Sequence, residues 1–362
     1  MLLFRYLGSS SMIATFAVTL VLLLIVTSSR LAKYLADASS GSLAADLVFL
    51  IILYRIPAFL PLIIPLGLFV GILLAYGRLY VDSEMTVIHA TGVSPSKILL
   101  ITMLPALLIS MLVAALTLWV APASLARFGA LLETSRNTHG LALFREGKFQ
   151  TDRAGDSVVY VKSLTSKERF EEVLLVEQRS DGNIVLVHSD SGQVRRADHP
   201  DERFVELKDG RVYEGKVGNR DYRVTRFASY TERIQLQREP EQVNLMIDAL
   251  PTRALLGSSD LAHIAALHWR FSLPATVIVV AILAVPLSRT DRRRGRYTKM
   301  LPAIVIYLVY IVSLSGVRSV VETGELPPLM LWLMHLFFLG IALLLIYRRD
   351  IQRLILPGSA AA

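Results

Sequence analysis

The chain reads as a polytopic α-helical membrane protein, with six transmembrane helices and an all-β domain inserted between the third and the fourth. Three observations predict this. Six apolar runs, near residues 10–29, 56–77, 98–121, 271–288, 301–317 and 328–347, fall into two sets of three. Each approaches the roughly 20 residues that a helix needs to cross hydrocarbon. The stretch between the sets, 123–265, is polar and long enough to fold by itself. Its apolar residues come in short β-branched runs.

Composition agrees. Of 362 residues, 53% are hydrophobic and mean hydropathy is +0.51, which places the chain among membrane proteins before any motif is read. Lipid leaves such runs one regular home, the helix, because backbone polar groups must be satisfied within the segment. The chain thus divides into 1–122 (spans one to three), 123–265 (the β domain with its connecting segments) and 266–362 (spans four to six and a tail). The net charge is +8. In a soluble chain that excess would point to nucleic acid; here much of it sits beside apolar runs, where it sets topology. There is no cysteine, which excludes disulfides and Cys-based metal or redox chemistry.

The loop from Arg289 to Lys299 holds Arg292, Arg293, Arg294 and Arg296, a density that marks it as cytoplasmic. The tail, with Arg348, Arg349 and Arg353, is basic as well, and Arg5 precedes the first span. Six spans then put both termini inside and the insert outside, which is the periplasm in a Gram-negative cell. Arg5, the first apolar run and Ala36-Asp37-Ala38 mimic a secretory signal. The run is long for a signal core, and Arg30 and Lys33 separate it from the cleavage-like site, so it reads as a retained span.

In the insert, runs 157–162, 172–177 and 183–188 are β-branched, with Ser180-Asp181-Gly182-Asn183 as a turn between two of them. Further runs cover 203–207, 210–214, 222–227 and 230–237, and Asp209-Gly210 supplies another turn signal. Closely spaced short strands predict an antiparallel sandwich or jelly roll. Their dry faces either fill the domain's own core or leave part of an open groove for lipid chains; alternation alone favours the core. Segments near 124–138 and 241–266 connect this domain to the spans, and Ser258-Ser259-Asp260-Leu261 reads as a helix start.

No catalytic motif is complete. Gly210 to Val217 nearly spells a phosphate-binding loop, but the residue after Lys216 is Val217, where magnesium binding needs Ser or Thr. His263 and His268 lack the spacing of a helical zinc pair, Gly140 and Gly257 open no nucleotide fingerprint, and no nucleophile elbow occurs. The chain is therefore expected to be non-catalytic, without a cofactor or metal of its own. Energy for uphill movement must come from another protein.

The loop between spans two and three, 80–97, has the marks of a short amphipathic helix. Ser83 can cap its start, Glu84 suits the positive end of the helix dipole, and Gly92 with Pro95 can end it. Met85 and Ile88 fall one turn apart with His89 beside them. Such a helix suits a groove on a partner, or equally lies flat on the membrane surface.

The stretch Asp82-Ser83-Glu84-Met85-Thr86-Val87-Ile88-His89-Ala90-Thr91-Gly92 closely resembles the lipopolysaccharide-export permease family, LptF/LptG, and within it the LptF branch more than the LptG branch. Phe144 to Phe149, Trp269-Arg270, Val285-Pro286-Leu287-Ser288, Gly295-Arg296 and Met300-Leu301-Pro302-Ala303 fit too, and the resemblance spans nearly the whole chain. It implies a permease subunit that extracts lipopolysaccharide from the inner membrane and hands it to a periplasmic bridge. The implied partners are a second, LptG-like permease and a dimer of an LptB-like cytoplasmic ATPase, which would bind the ATP and Mg2+. An LptC-like single-span protein and a soluble LptA-like protein would form the bridge. The loop helix near 82–92 becomes the helix that couples to the ATPase, with Glu84 as polar anchor and Met85, Ile88 and His89 beside it. The insert becomes the first jelly roll of the bridge.

Basic residues also stand at the outer ends of spans, against the inside bias: Arg30 and Lys33, Arg55, Arg270 and Arg318. They are costly there unless they face water, a cavity or an anion. Lipid A phosphates lie at that depth, and Arg and Lys suit phosphate. The five residues are therefore candidates for holding the substrate head group; snorkelling to ordinary lipid, or pairing with Asp37, Glu322 and Glu325, is the alternative. Three rival classes remain open. An ion-driven transporter lacks buried carboxylates in its spans, and a membrane-anchored scaffold needs no plug helix. A permease of another lipid or lipoprotein exporter would differ in the ATPase that copurifies. Span two carries Pro57, Pro61 and Pro65, which either let a cavity wall move or pack statically.

Overall fold

A computed structural model describes residues 2–39, 45–138, 146–151, 157–166, 169–178, 183–196, 202–216, 218, 221–235, 246–290 and 300–355. The basic loop 291–299 and the turn at 180–182 lie outside the described residues. The chain separates into two units. One comprises Met1–Ala32, Phe49–Gly129 and Asn244–Ala362; the other comprises Lys33–Val48 and Ala130–Val243.

The helices are α1 (Leu2–Ser39), α2 (Val48–Val81), α3 (Glu84–Ala90), α4 (Pro95–Ala115), α5 (Ala121–Thr138), a short α6 (Thr252–Leu255), α7 (Leu261–Leu287), α8 (Met300–Glu322) and α9 (Leu329–Ile355). Among the described residues, six segments are long and apolar enough to cross a membrane: Leu3–Ser39, Ala45–Val81, Pro95–Leu132, Leu261–Leu287, Met300–Glu322 and Leu329–Tyr347. The third runs from α4 into α5 through a π-helical turn, Leu116–Val120. The connecting segment expected near 124–138 is thus a continuation of the helix.

Local chemistry sets the helix starts. Ser94 caps α4 by accepting from the Lys97 amide, with Pro95 in the first helical position. Asp260 caps α7 through the Ala262 amide, where the sequence places a start. Helix α2 stays continuous through Pro57, Pro61 and Pro65.

Helices α2 and α7 form the centre of the helical unit. Two thirds of the most apolar stretch of α2 is buried, against a tenth of that of α1. Leu68, Ile72, Val277, Leu283 and Tyr310 are almost fully enclosed in one core cluster. Helix α1 approaches α2 at small residues: Gly67 faces Thr19 and Gly71 faces Thr15. Close approach through small side chains is how membrane helices gain contact where lipid supplies no hydrophobic drive. Some buried polar groups are paired across helices. His335 of α9 bonds Ser272 of α7 at 2.9 Å and also bonds Tyr310 of α8. Tyr76 of α2 bonds Thr102 of α4 at 2.7 Å.

The other unit holds one six-stranded antiparallel sheet, in which every strand lies beside its sequence neighbours. The strands are β1 (Lys148–Thr151), β2 (Ser157–Ser166), β3 (Arg169–Gln178), β4 (Asn183–Arg196), β5 (Glu202–Lys216) and β6 (Tyr222–Gln235). The inserted all-β domain is as the sequence predicts, and its strands follow one another as a meander. Two corrections apply. The runs 203–207 and 210–214 belong to one strand, β5, and the runs from 222 and from 230 belong to one strand, β6. Asp209-Gly210 is therefore no hairpin turn.

A crease crosses the sheet at those points. Pairing is interrupted at Lys162, Glu172, Asp190, Asp209 and Ala228, one residue in each of β2 to β6, while the register on either side is unchanged. Glu172 and Asp209 both take φ of 51°, a left-handed conformation that side chains seldom adopt. Inward-facing residues step by three across the row instead of two: Val161 to Leu164, Phe170 to Val173, Ser189 to Gly192, and Phe227 to Tyr230. The inner faces of both halves thereby enter one core, where Phe170, Val205 and Leu207 meet Val161, Val173 and Val187. Gly192 leaves room for the Phe170 ring, and Ser189 bridges the crease by donating to the carbonyls of Ser191 and Lys208.

Candidate functional site

Two groups hold the residues that the sequence singles out. The first is α3. Ser83 stands at its N-cap position, but with φ of 63° and no side-chain capping bond, so the expected local cap is not formed. Tertiary contacts hold this end instead. Met85 is fully buried in the core beneath α3. Glu84 accepts a hydrogen bond of 2.6 Å from the hydroxyl of Tyr6, near the start of α1. Ile88 packs partly into the same core, and the His89 ring bonds the Val93 carbonyl at 3.1 Å. Gly92, with φ of 87°, ends the helix as predicted.

Of the four residues expected to couple, Met85 and Ile88 therefore anchor α3 to its own bundle. Glu84 is half-buried at the rim, and the surface of α3 left open is Thr86, Val87 and Ala90. Val87, 62% exposed, and Tyr6 were not singled out in the sequence. An apolar residue on the free face of a short helix is the signal for Val87. Tyr6 carries none, because it lies 78 positions from its partner.

The second group comprises the outer basic residues. The Arg30 and Arg55 guanidinium groups both lie over the Phe59 ring, at 5.6 and 5.2 Å, and Arg55 also lies over Phe128 at 5.1 Å. Cation–π contacts of this kind keep guanidinium charge in an apolar setting. Lys33 is exposed and belongs to the other unit.

Arg270 does something other than expected. It is 4% exposed, and its guanidinium donates to Thr252 Oγ1 at 2.9 Å and to the carbonyls of Asp248 and Leu250 at 2.8 and 2.7 Å. Thr252 in turn bonds the Leu118 carbonyl in the π-helical turn. A wide helical turn leaves carbonyls without their usual partners, and Thr252 satisfies one. Arg270 thus fastens segment 247–252 to the bundle, and its enclosure removes it from the head-group candidates.

Arg318 sits on the Trp269 ring at 5.1 Å, between Asp248 at 2.9 Å and Glu322 at 2.8 Å. Pairing with Glu322 is the alternative already foreseen; Asp248 was missed because its stretch reads only as a connector. No group of acidic, His or Cys residues suited to a metal occurs among the described residues.

Six membrane-crossing helices, an inserted β-sheet unit and a short helix gripped by the bundle define a polytopic membrane protein of the transporter kind. The chain belongs to the LptF/LptG family: the sequence profile described as "Lipopolysaccharide export system permease LptF/LptG" matches residues 5–348. It is 32% identical over 348 residues to the lipopolysaccharide export system permease protein LptF of Escherichia coli K12, covering 95% of this chain and 94% of that protein. The LptF proteins of Escherichia coli O157:H7 and Shigella flexneri match with the same identity and coverage.

Proposed function

We propose that the protein is the LptF-like permease subunit of an ATP-driven exporter. It extracts lipopolysaccharide from the inner membrane and passes it to a periplasmic protein bridge. The observation that carries this reading is similarity to LptF along nearly the full length of both chains, spans and insert together. The chain itself binds no nucleotide. An LptB-like ATPase dimer hydrolyses ATP with Mg2+ and docks at α3, and an LptG-like permease completes the membrane part. The sheet unit lies in the periplasm and continues into LptC-like and LptA-like bridge proteins. Edge strand β6, with Tyr222 and Val224 exposed, offers backbone groups for strand addition.

Arg30 and Lys33 remain the head-group candidates; Arg55, 7% exposed, is nearly as enclosed as Arg270 and contributes only its charge. Two guanidinium groups on one ring concentrate positive charge where phosphate can be met. The test is affinity purification from the native membrane with mass spectrometry of bound proteins and lipid, for the wild-type chain and for Glu84→Ala. Recovery of an ATPase, a second permease and lipopolysaccharide, with the ATPase lost in the variant, is expected. A chain that brings down neither ATPase nor lipopolysaccharide overturns the reading.

A further inference from the structure

We propose that Tyr6 is a positioning residue for energy coupling: its hydroxyl sets the Glu84 carboxylate in the orientation that a cationic side chain of the ATPase engages. This rests on α3 being the ATPase-docking helix. The backbone at Glu84 is already fixed, since the next residue, Met85, is fully buried. What remains to be ordered is the Glu84 side chain. A solvated glutamate at a helix start samples many rotamers, and ordering it during docking opposes binding. The 2.6 Å bond from Tyr6 orders it beforehand. Tyrosine suits this, because a rigid ring with two torsions places its hydroxyl at little entropic cost.

The bond also leaves the carboxylate usable. Tyr6 donates to Oε2 alone, and a carboxylate has about four acceptor positions, so Oε1 stays available to a cation. No local device does the same job. Ser83 makes no capping bond, and its left-handed backbone gives the α2–α3 corner a sharp turn without a side-chain tie. The start of α1, the least buried span, is therefore joined to the docking residue through one hydroxyl.

The experiment uses the whole exporter: this chain, its partner permease and its ATPase, in proteoliposomes carrying lipopolysaccharide. ATP hydrolysed and lipopolysaccharide released are measured per intact purified complex for wild type, Tyr6→Phe, Glu84→Gln, the double variant and Glu84→Ala. Tyr6→Phe removes only the hydroxyl. We expect it to lower lipopolysaccharide released per ATP by roughly threefold to tenfold, the net scale of one ordinary, partly solvated hydrogen bond. Its melting temperature should be unchanged, and it should add nothing on the Glu84→Gln background. Wild-type coupling in Tyr6→Phe beside an uncoupled Glu84→Ala overturns the role of Tyr6 and leaves α3 as the docking helix. So does a Tyr6→Phe effect that multiplies with that of Glu84→Gln, since Tyr6 would then act elsewhere. Normal ATPase recovery and coupling in Glu84→Ala overturns the docking reading itself, and this inference with it.

Discussion

Gly71 lies against Thr15 so closely that a Cβ at Gly71 would stand 2.5 Å from the Thr15 hydroxyl oxygen and 2.6 Å from its backbone nitrogen. Backbone cannot yield as a flexible side chain does, so the α1–α2 crossing depends on the absence of that one carbon. Gly71→Ala is expected to destabilise the helical unit by about 1–3 kcal/mol, as overpacking does. Gly77→Ala, where nothing lies within 4 Å of a Cβ, should be near neutral. Thermal unfolding of both variants in detergent checks the contrast; equal melting temperatures would remove the claim.

Replacing Arg270 tests its reassignment from substrate contact to fastener. Arg270→Ala leaves the Asp248 and Leu250 carbonyls without their donor, and each unsatisfied buried group costs about 1–3 kcal/mol. Folded yield and melting temperature should drop. Lipopolysaccharide crosslinking per folded molecule should hold. Loss of crosslinking at normal stability would return Arg270 to the head-group site.

Arg30→Glu with Lys33→Glu should show the opposite pattern: weaker lipopolysaccharide crosslinking, with ATPase recovery intact. Unchanged crosslinking would remove the head-group role.

Left-handed backbone makes Asp209 selective. Asp209→Gly is expected to match or exceed wild-type stability, while a β-branched residue in Asp209→Val should cost about 1–2 kcal/mol. Protease resistance of the sheet unit in the full chain reads the difference, and equal resistance would argue against the conformation.

The Lys162–Glu172 pair, 2.5 Å apart across the crease, predicts a pH dependence. The hydrogen bond from Lys162, and then its charge, holds the Glu172 carboxyl below its usual 4.5; the same bond raises Lys162 above its usual 10.5. A depressed carboxyl stabilises above its unfolded value, and this is lost as pH falls through the folded one. A raised ammonium stabilises below its unfolded value, and this is lost as pH rises through the folded one. Lys162→Ala should therefore cost a little stability at neutral pH and nothing once Glu172 is protonated. Both groups are exposed, so salt should shrink the effect. A salt-insensitive loss persisting in strong acid would point to packing instead.

Much of this was legible in the sequence because it depends on local pattern. Apolar run length gave the six spans. The helix start at Asp260 and the stop at Gly92 are short-range signals, as are the β-branched runs of the insert, whereas the cap read at Ser83 is not formed. The breaks at 208–209 and 228–229 were real as well: the chain does change direction there, but inside continuous strands. A turn signal alone does not say whether the next run pairs with the last or extends it. Cross-chain contacts were the other limit. Glu84 was placed by its helix, whereas Tyr6 is brought to it only by tertiary packing. Asp248 looked like linker, and it is Trp269, Arg270 and Arg318 together that make its segment part of the bundle. The basic residues marked a charged rim, and only the geometry divides it into enclosed, paired and ring-stacked members.

The crease ties the lengths of five strands together. Each inward pair astride it, from Val161 and Leu164 in β2 to Phe227 and Tyr230 in β6, keeps the same spacing, and the inter-strand register passes through undisturbed. One residue added or removed at that row in a single strand would put half of that strand out of phase with the strands it pairs with, its apolar side chains turned to water. A substitution there perturbs one link of five. A lone insertion sets one strand against all the others, so the sheet is expected to tolerate changes of residue at this row far better than changes of length.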